Sequence, residues 1–175
     1  MSRKIKLGIL GGGGDSLIGV LHRVAANMFD KYEIVGGVFN PNFKENIEFA
    51  KTLGINSSRI YEDYESLIEE ESKLNSSEKM QVISVLTPNF LHYPMAKKLL
   101  ENNFHVICEK PLTTTYKEAI ELQQIQKEKN AVFAVTHTYT GYPMVRQMTK
   151  MISDGIIGDI QKVDHSFMFY KLCPI

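Results

Sequence analysis

Hydrophobic positions along the chain follow two alternating patterns, which predict strands and helices in turn. Six short apolar runs are typical of strands, at 4–10, 33–39, 59–61, 81–86, 104–109 and 131–137. The run at 81–86 is almost wholly apolar, which predicts a strand buried on both faces. Between the runs, apolar residues at three- and four-residue spacing predict helices. In the first helix, at 16–29, one face carries Leu17, Leu21, Val24 and Met28.

The alternation predicts an α/β fold with a doubly wound parallel sheet, a three-layer α/β/α Rossmann arrangement, because parallel neighbours need crossover helices. Asn40 and Pro41 predict a helix start, as a cap followed by proline at the first helical position. Thr115 and Glu118 have the spacing of a capping box. A seventh strand is predicted at 159–170, and we expect a first domain over 1–158 and the start of another over 159–175.

Composition excludes several classes of protein. The chain is 43% apolar and 23% charged, and 20 basic residues balance 20 acidic ones. Such a balance provides no field for a nucleic acid or a membrane surface. We find neither a signal peptide nor an apolar run of about 20 residues. Cys108 and Cys173 have no metal-ligand spacing, so we expect no metal and a reducing, cytoplasmic setting.

Four glycines, Gly11 to Gly14, lie between the first strand and the first helix, and Gly19 follows. A dinucleotide site needs glycines for a tight turn and close backbone approach, with helix amides holding the phosphates. The literal G-x-G-x-x-G pattern fails because Ser16 interrupts it, and a flexible turn is the alternative. No Lys-Ser or Lys-Thr follows, which excludes a P-loop. The candidate cofactor-binding residues are Gly11, Gly12, Gly13, Ser16, Leu17 and Ile18.

The end of the second strand usually selects the cofactor, through an acidic residue that binds the adenosine ribose. Here Asn40 stands at that end, with Lys44 beyond it. Asn40 can bind a ribose hydroxyl without repelling a phosphate, and it can equally be only a helix cap. The cofactor is therefore NAD or NADP, with a slight preference for NAD.

Short polar side chains also follow the buried strand at 81–86. Thr87, Asn89 and His92 are candidate cofactor-binding residues, and Pro88 stiffens the turn between them. Each has an ordinary alternative, since Asn89 can simply cap a helix and His92 can be a solvated helix residue.

Glu109, Lys110 and Pro111 stand at the carboxyl end of the next strand. A lysine ammonium there can orient a substrate hydroxyl and take part in proton transfer, which makes Lys110 the candidate catalytic residue. Glu109 can hold the lysine by a charge-assisted bond, and Pro111 can fix the turn through a cis bond. The alternative is a surface salt bridge beside a turn.

These motifs, together with "TPNFLHYPMAKKLL" and "DGIIGDI", resemble in order and spacing the Gfo/Idh/MocA family of nicotinamide-dependent sugar and polyol dehydrogenases. The resemblance implies a cofactor held at the glycine loop and at Thr87, Pro88, Asn89, His92, Glu109 and Lys110. It implies that Lys110 is the active-site lysine. The stretch "THTYTGYPMVRQ" looks like a branch acting on sugar-like substrates, and it places His137, Tyr139 and Tyr142 near the substrate.

Members of that family are much longer, and their second half is an α+β domain that supplies further catalytic residues and the usual homo-oligomer contact. The resemblance therefore implies a cofactor domain that transfers hydride to or from a sugar or polyol only in its full-length form. Two alternatives stay open: a non-catalytic, cofactor-dependent binding or sensor protein, and a flavodoxin-like module that binds no dinucleotide.

Overall fold

The computed structural model describes residues 3–164 and 166. The chain divides into two compact units, Met1–Thr136 and His137–Ile175, and each is described by itself. The first contains a parallel sheet and five α-helices, and the second contains a sixth helix. None of the helices among the described residues is long and apolar enough to span a membrane.

The sheet of the first unit has five parallel strands, and their order is β2-β1-β3-β4-β5. Their bounds are β1 Ile5–Gly11, β2 Tyr32–Val38, β3 Val82–Leu86, β4 His105–Cys108 and β5 Phe133–Val135. The direction of winding reverses between β1 and β3. Ligands of such sheets bind at the carboxyl ends of the strands beside this reversal. The predicted doubly wound parallel sheet is confirmed.

Five helices connect and cover these strands. They are α1 Leu17–Met28, α2 Phe43–Thr52, α3 Tyr64–Lys73, α4 His92–Glu101 and α5 Tyr116–Glu128. The predicted capping box at α5 is confirmed, since Thr115 and Glu118 each bind the backbone of the other. The predicted cap of α2 is wrong, because Asn42 rather than Asn40 accepts the amides of Lys44 and Glu45.

Two hydrophobic clusters lie on opposite faces of the sheet. Along β3, Ile83 and Val85 belong to one cluster, while Val82 and Leu86 belong to the other. Side chains of a strand alternate between faces, so both faces of β3 are buried, as its apolar sequence predicts. The three-layer arrangement is confirmed.

Two predicted strands differ from the structure. The segment predicted at 59–61 contains the end of a 3₁₀ turn, Ser57–Arg59, and a single isolated bridge between Ile60 and Gly37. The side chain of Asn56 accepts the amide of Ser58 and so favours the turn. In the strand predicted at 159–170, the described residues 159–164 and 166 form no strand. Residues 165 and 167–170 lie outside the described residues.

The apolar face predicted for α1 is present but does not pack on the sheet. Its side chains are more than half exposed, namely Leu17, Leu21, Val24 and Met28. The buried positions of this helix are instead the small residues Gly19 and Ala26. Small residues let a helix backbone approach a neighbour closely. The first helix therefore lies close to the carboxyl edge of the sheet through these small residues.

In the second unit, helix α6 spans Pro143–Ser153 and begins with proline in its first turn. A 3₁₀ turn, Thr138–Gly141, precedes it. Proline suits the first helical position because the amide it lacks would have no intrahelical acceptor there.

Candidate cofactor-binding site

The glycine loop after β1 is a sharp turn that only glycine adopts readily. Gly11 and Gly12 have φ of 81° and 67°, in the left-handed region. Gly13 has an ordinary φ, but its amide donates to the carbonyl of Phe39 at 3.1 Å. A Cβ on Gly13 would lie 2.5 Å from that oxygen. The loop is therefore pressed against the end of β2, and Gly13 is required for close approach rather than for turning.

Helix α1 begins directly behind this loop. The hydroxyl of Ser16 accepts the amide of Gly19 at 3.2 Å and caps the helix. A Cβ on Gly19 would overlap the carbonyl of Gly12, so the helix packs directly on the loop. The first amides of a helix have no intrahelical acceptor, and in α1 these belong to Leu17 and Ile18. They are suited to an anion such as a phosphate.

A cleft of about 510 Å³ opens at the carboxyl ends of β1, β2 and β3. Six of the predicted cofactor-binding residues line it, namely Gly11, Gly12, Gly13, Asn40, Thr87 and Pro88. Sequence reasoning missed ten further lining residues: Leu10, Val38, Phe39, Pro41, Glu62, Asp63, Tyr64, Leu86, Leu91 and Met95. Apolar walls with a few polar groups are typical of sites for small molecules and cofactors.

The β2 end of the cleft is acidic. The Asn40 amide donates to a carboxylate oxygen of Glu45 at 2.9 Å, and its side-chain oxygen accepts the amide of Asn42 at 2.8 Å. Glu62 and Asp63 line the same end. The pKa of Asp63 is lowered by hydrogen bonds from the hydroxyl and the amide of Ser66, which favour its ionised form. Asn40 is therefore held in place by its own helix start, beside a negative charge.

The β3 end of the cleft is shaped by two turns that share one histidine. His92 is 1% exposed, its Nε2 lies 2.8 Å from the carbonyl oxygen of Thr87, and its Nδ1 lies 2.7 Å from that of Pro111. It is not a solvated helix residue, and it links the turn after β3 to the turn after β4. Asn89 is exposed and caps nothing, since Pro88 occupies the cap position of the 3₁₀ turn Asn89–Leu91.

The turn after β4 contains the candidate catalytic lysine. The peptide bond between Lys110 and Pro111 is cis, which confirms that expectation. Lys110 is exposed, whereas Glu109 is only 7% exposed. One carboxylate oxygen of Glu109 lies 3.0 Å from Nε2 of His22 on α1, and the other accepts the Lys110 amide at 3.2 Å.

The expectation that Glu109 holds the lysine by its ammonium is therefore corrected. Within the described part of the chain, the side-chain partner of its carboxylate is the ring of His22, and its bond to Lys110 is made to the backbone. Sequence reasoning missed His22. A usable signal was present, because His22 and Arg23 are adjacent polar residues in an otherwise apolar stretch of α1. Arg23 donates to the carbonyl of Gly12 at 2.6 Å and so braces the glycine loop.

Cys108 precedes this turn and is fully buried. Burial and the neighbouring Glu109 carboxylate raise the pKa of the thiol to about 12. A thiol in this state is a poor nucleophile near neutral pH. Among the described residues, no group of acidic, histidine and cysteine side chains could hold a metal ion.

The three predicted substrate residues lie together in the second unit, just before α6. His137 precedes the 3₁₀ turn, Tyr139 lies within it, and Tyr142 ends it. The two tyrosine rings pack edge to face with centroids 5.5 Å apart, and both residues are at least half exposed.

Comparison with known proteins agrees with this geometry. Residues 5–149 match the model of the Gfo/Idh/MocA oxidoreductase family, NAD-binding Rossmann fold. A crystal structure of an oxidoreductase from Pseudomonas syringae is 35% identical with a TM-score of 0.87, and the match covers 91% of this chain and 43% of that one.

An inositol dehydrogenase homologue from Azotobacter vinelandii, crystallised with NADH and myo-inositol, is 37% identical with a TM-score of 0.86 over 90% of this chain and 41% of its own. The uncharacterized oxidoreductase YfiI of Bacillus subtilis is 34% identical over 165 residues, which are 94% of this chain and 42% of that protein. The chain thus spans about two fifths of the length of these relatives. It belongs to the Gfo/Idh/MocA oxidoreductase family, and it comprises the NAD-binding Rossmann domain that characterises this family.

Proposed function

We propose that this chain binds a nicotinamide dinucleotide along the cleft at the carboxyl edge of its sheet. The main support is the glycine loop, which lies where the strand order reverses. In this loop Gly11 and Gly12 adopt left-handed backbone angles, and the first amides of α1 lie directly behind it. These features fit a pyrophosphate, which requires close backbone approach and a helix N-terminus.

The direction of the dinucleotide follows from the order of the strands. The adenosine ribose of such cofactors binds at the end of the second strand, which here is the position of Asn40. With the pyrophosphate at the loop after β1, the nicotinamide half extends the other way, towards the ends of β3 and β4. Thr87, Pro88, Glu109 and Lys110 follow those strands. Asn89, exposed beside Pro88, would lie at the same half.

The fit of the adenosine half rests on the walls of the cleft. The apolar side chains of Val38 and Pro41 line its β2 end and suit a flat adenine ring. Asn40 holds its amide and its carbonyl toward the start of α2, with one lone pair of that oxygen left for a ribose hydroxyl.

The charge of the β2 end favours NAD over NADP in this proposal. Glu45 is bonded to Asn40, and Glu62 and Asp63 stand in the same wall. A 2′-phosphate brought to this end would meet these carboxylates. Lys44 is the opposing influence, since a basic residue near the end of the second strand accommodates that phosphate.

In a protein of the relatives' length, we propose hydride transfer between the cofactor and a sugar or polyol carbon. When bound, the nicotinamide supplies the acceptor or donor of the hydride. Lys110 would orient the substrate hydroxyl and hold its proton, and His137, Tyr139 and Tyr142 would contact the sugar-like substrate. Support comes from the family and from the relative crystallised with NADH and myo-inositol.

The test is a titration of the 175-residue chain with NADH and with NADPH, followed by nicotinamide fluorescence. We expect saturable binding of NADH and weaker binding of NADPH, with both displaced by AMP because the adenosine half is shared. A chain that stays folded by circular dichroism and gives no saturable signal with either cofactor contradicts the proposal. Equal or tighter binding of NADPH contradicts only the cofactor preference.

A further inference from the structure

His22 and Glu109 form a buried contact between α1 and the turn after β4. Their side chains are 15% and 9% exposed, and Nε2 of the ring lies 3.0 Å from the carboxylate. An ionised carboxylate only accepts hydrogen bonds, so Nε2 of His22 donates. The second carboxylate oxygen accepts the amide of Lys110. Both oxygens of Glu109 are thus engaged, one by a helix and one by its own turn.

We infer that His22 is a positioning residue for the nicotinamide end of the site, acting through Glu109 on the turn that presents Lys110. The inference rests on the proposed function, since it assumes that the nicotinamide half lies over the ends of β3 and β4. It adds a residue that touches neither cofactor nor substrate but determines where Lys110 stands.

The turn is held at three points, and His22 provides one of them. At its far side, Nδ1 of His92 lies 2.7 Å from the carbonyl of Pro111. At its near side, the backbone of Glu109 is fixed by a bond from its amide to the carbonyl of Val85 at 3.0 Å. The side chain of Glu109 is therefore the movable part, and His22 is the partner that stops it from moving.

Loss of His22 should change the β4 end of the site and leave the β2 end unchanged. A buried carboxylate oxygen left without a donor is costly, so the Glu109 side chain would turn toward water. Its bond to the Lys110 amide would be lost with it, and the lysine would shift. Among the described residues, the side-chain hydrogen bonds of Asn40 at the β2 end are made to Asn42 and Glu45, so the adenosine half of the site would not change.

The experiment compares two ligands that differ in the nicotinamide half. NADH is titrated by fluorescence and ADP-ribose, which has no nicotinamide, by calorimetry, against the 175-residue chain and its variants. In His22→Leu we expect about ten-fold weaker NADH binding, because the whole turn after β4 shifts against the nicotinamide half, and less than about two-fold change for ADP-ribose. His22→Gln, whose amide can reach the place of Nε2, should recover most of the lost affinity.

The matched control is His105→Leu. His105 accepts a backbone amide at the amino end of the same strand, β4, on the opposite edge of the sheet. This variant removes a histidine and its hydrogen bond there, and it should leave the ratio of the two affinities unchanged. If the unsubstituted chain binds neither ligand, the proposed function fails. If it binds both, and His22→Leu weakens them equally or not at all, the positioning role is overturned.

A second measurement covers the case in which His22→Leu does not fold. In the unsubstituted chain, the ring nitrogen resonances of His22, assigned by their loss in His22→Gln, should show a proton on Nε2. They should shift when NADH is added and stay unchanged with ADP-ribose. Identical responses to the two ligands would overturn the inference.

Discussion

At the β2 end of the cleft the side-chain bonds of Asn40 span at most five residues, whereas at the β4 end Glu109 is held by a histidine 87 residues away. The first set of contacts is exposed, and the second is partly buried. His92 extends the second set by joining Thr87 to Pro111. One end is thus a local feature of a helix start, and the other depends on the packing of α1 and α4 around the sheet.

The difference shows at which end of the cleft a substitution lowers the stability of the domain. Exposed charges such as Glu45 contribute little to the free energy of unfolding, so the β2 end can vary its cofactor preference without loss of the fold. Removing His22 would leave one oxygen of the largely buried Glu109 carboxylate without its donor, so the β4 end is tied to the stability of the domain. We expect chemistry to depend on the β4 end and cofactor choice to depend on the β2 end.

The largest expected effect concerns Lys110. In a protein of the relatives' length that contains this domain, Lys110→Ala should lower kcat by roughly 10²–10⁴-fold, as expected for a lost acid–base group. The dissociation constant for NADH should change little, because Lys110→Ala leaves the backbone of the turn and the contact between Glu109 and His22 in place.

Its control is Lys44→Ala at the β2 end, which should leave kcat unchanged. The measurement is steady-state oxidation of a polyol together with a fluorescence titration of the cofactor. A fully active Lys110→Ala protein would contradict the proposal that catalysis depends on the β4 end.

The next effect measures how much of the free energy of unfolding is lost when a buried charged contact away from the cleft is removed. Glu71 is fully buried, and its carboxylate accepts from Arg59, from the hydroxyl of Tyr61 and from the amide of Met80. Burial and the Glu71 carboxylate raise the pKa of Tyr61. Glu71→Ala should reduce the free energy of unfolding by about 3–5 kcal/mol, because it removes the buried acceptor of three donors, one of them the guanidinium of Arg59, whose side chain is 19% exposed.

The measurement is urea unfolding followed by circular dichroism. Glu69→Ala, an exposed neighbour on α3, should cost less than about 1 kcal/mol. The folded fraction of Glu71→Ala should bind NADH with unchanged affinity. A large loss of affinity in that fraction would mean that the contacts of the buried core also determine cofactor binding.

An intermediate effect is expected at the centre of the cleft, in the glycine loop. Gly14 has φ of 55° with open space around it, a conformation that Asn and Asp tolerate better than other residues. Gly14→Asp and Gly14→Asn therefore place similar strain on the backbone and differ in charge. Near a pyrophosphate, the carboxylate should weaken NADH binding about ten-fold relative to the amide, which is about 1.4 kcal/mol.

Both variants are titrated with NADH at low and high salt, and the gap between them should narrow at high salt because screening weakens the repulsion. Equal affinities at low salt would show that the pyrophosphate does not lie at this loop.

The same division between local and long-range contacts explains what the sequence alone could predict. Five of the seven predicted strands, the capping box at Thr115 and the glycine loop were predictable, because periodicity and turn chemistry are local. So were the residues that end each strand, because parallel strands place them at one edge. The partner of Glu109 was not, since no local pattern says which helix residue lies above a turn 87 residues later.

Two further differences have the same origin. The sequence predicts that the glycines serve both a tight turn and close approach, but that Gly13 is needed for close approach to Phe39 depends on how β2 lies beside β1. His92 has an ordinary helical position in the sequence, and only the packing of α4 beneath two turns buries it.

The smallest expected effect is on cofactor preference at the β2 end. Glu45→Gln replaces the carboxylate bonded to Asn40 by an amide of similar size. It removes one exposed negative charge near the expected position of a 2′-phosphate. Exposed charges interact by less than about 1 kcal/mol, so the ratio of NADPH to NADH affinity should rise by at most about five-fold. The free energy of unfolding should stay nearly constant, because Glu45 is exposed at a helix start.

Glu48→Gln is the matched control, since it neutralises another exposed glutamate of α2 that is not bonded to Asn40. The two variants carry the same net charge, so a general field effect would change both ratios equally. A rise confined to Glu45→Gln, and reduced at high salt, would locate the ribose at Asn40. A rise of similar size in both variants would show that cofactor preference depends on the net charge of the domain, and the β2 end would lose the specific role that its local contacts suggest.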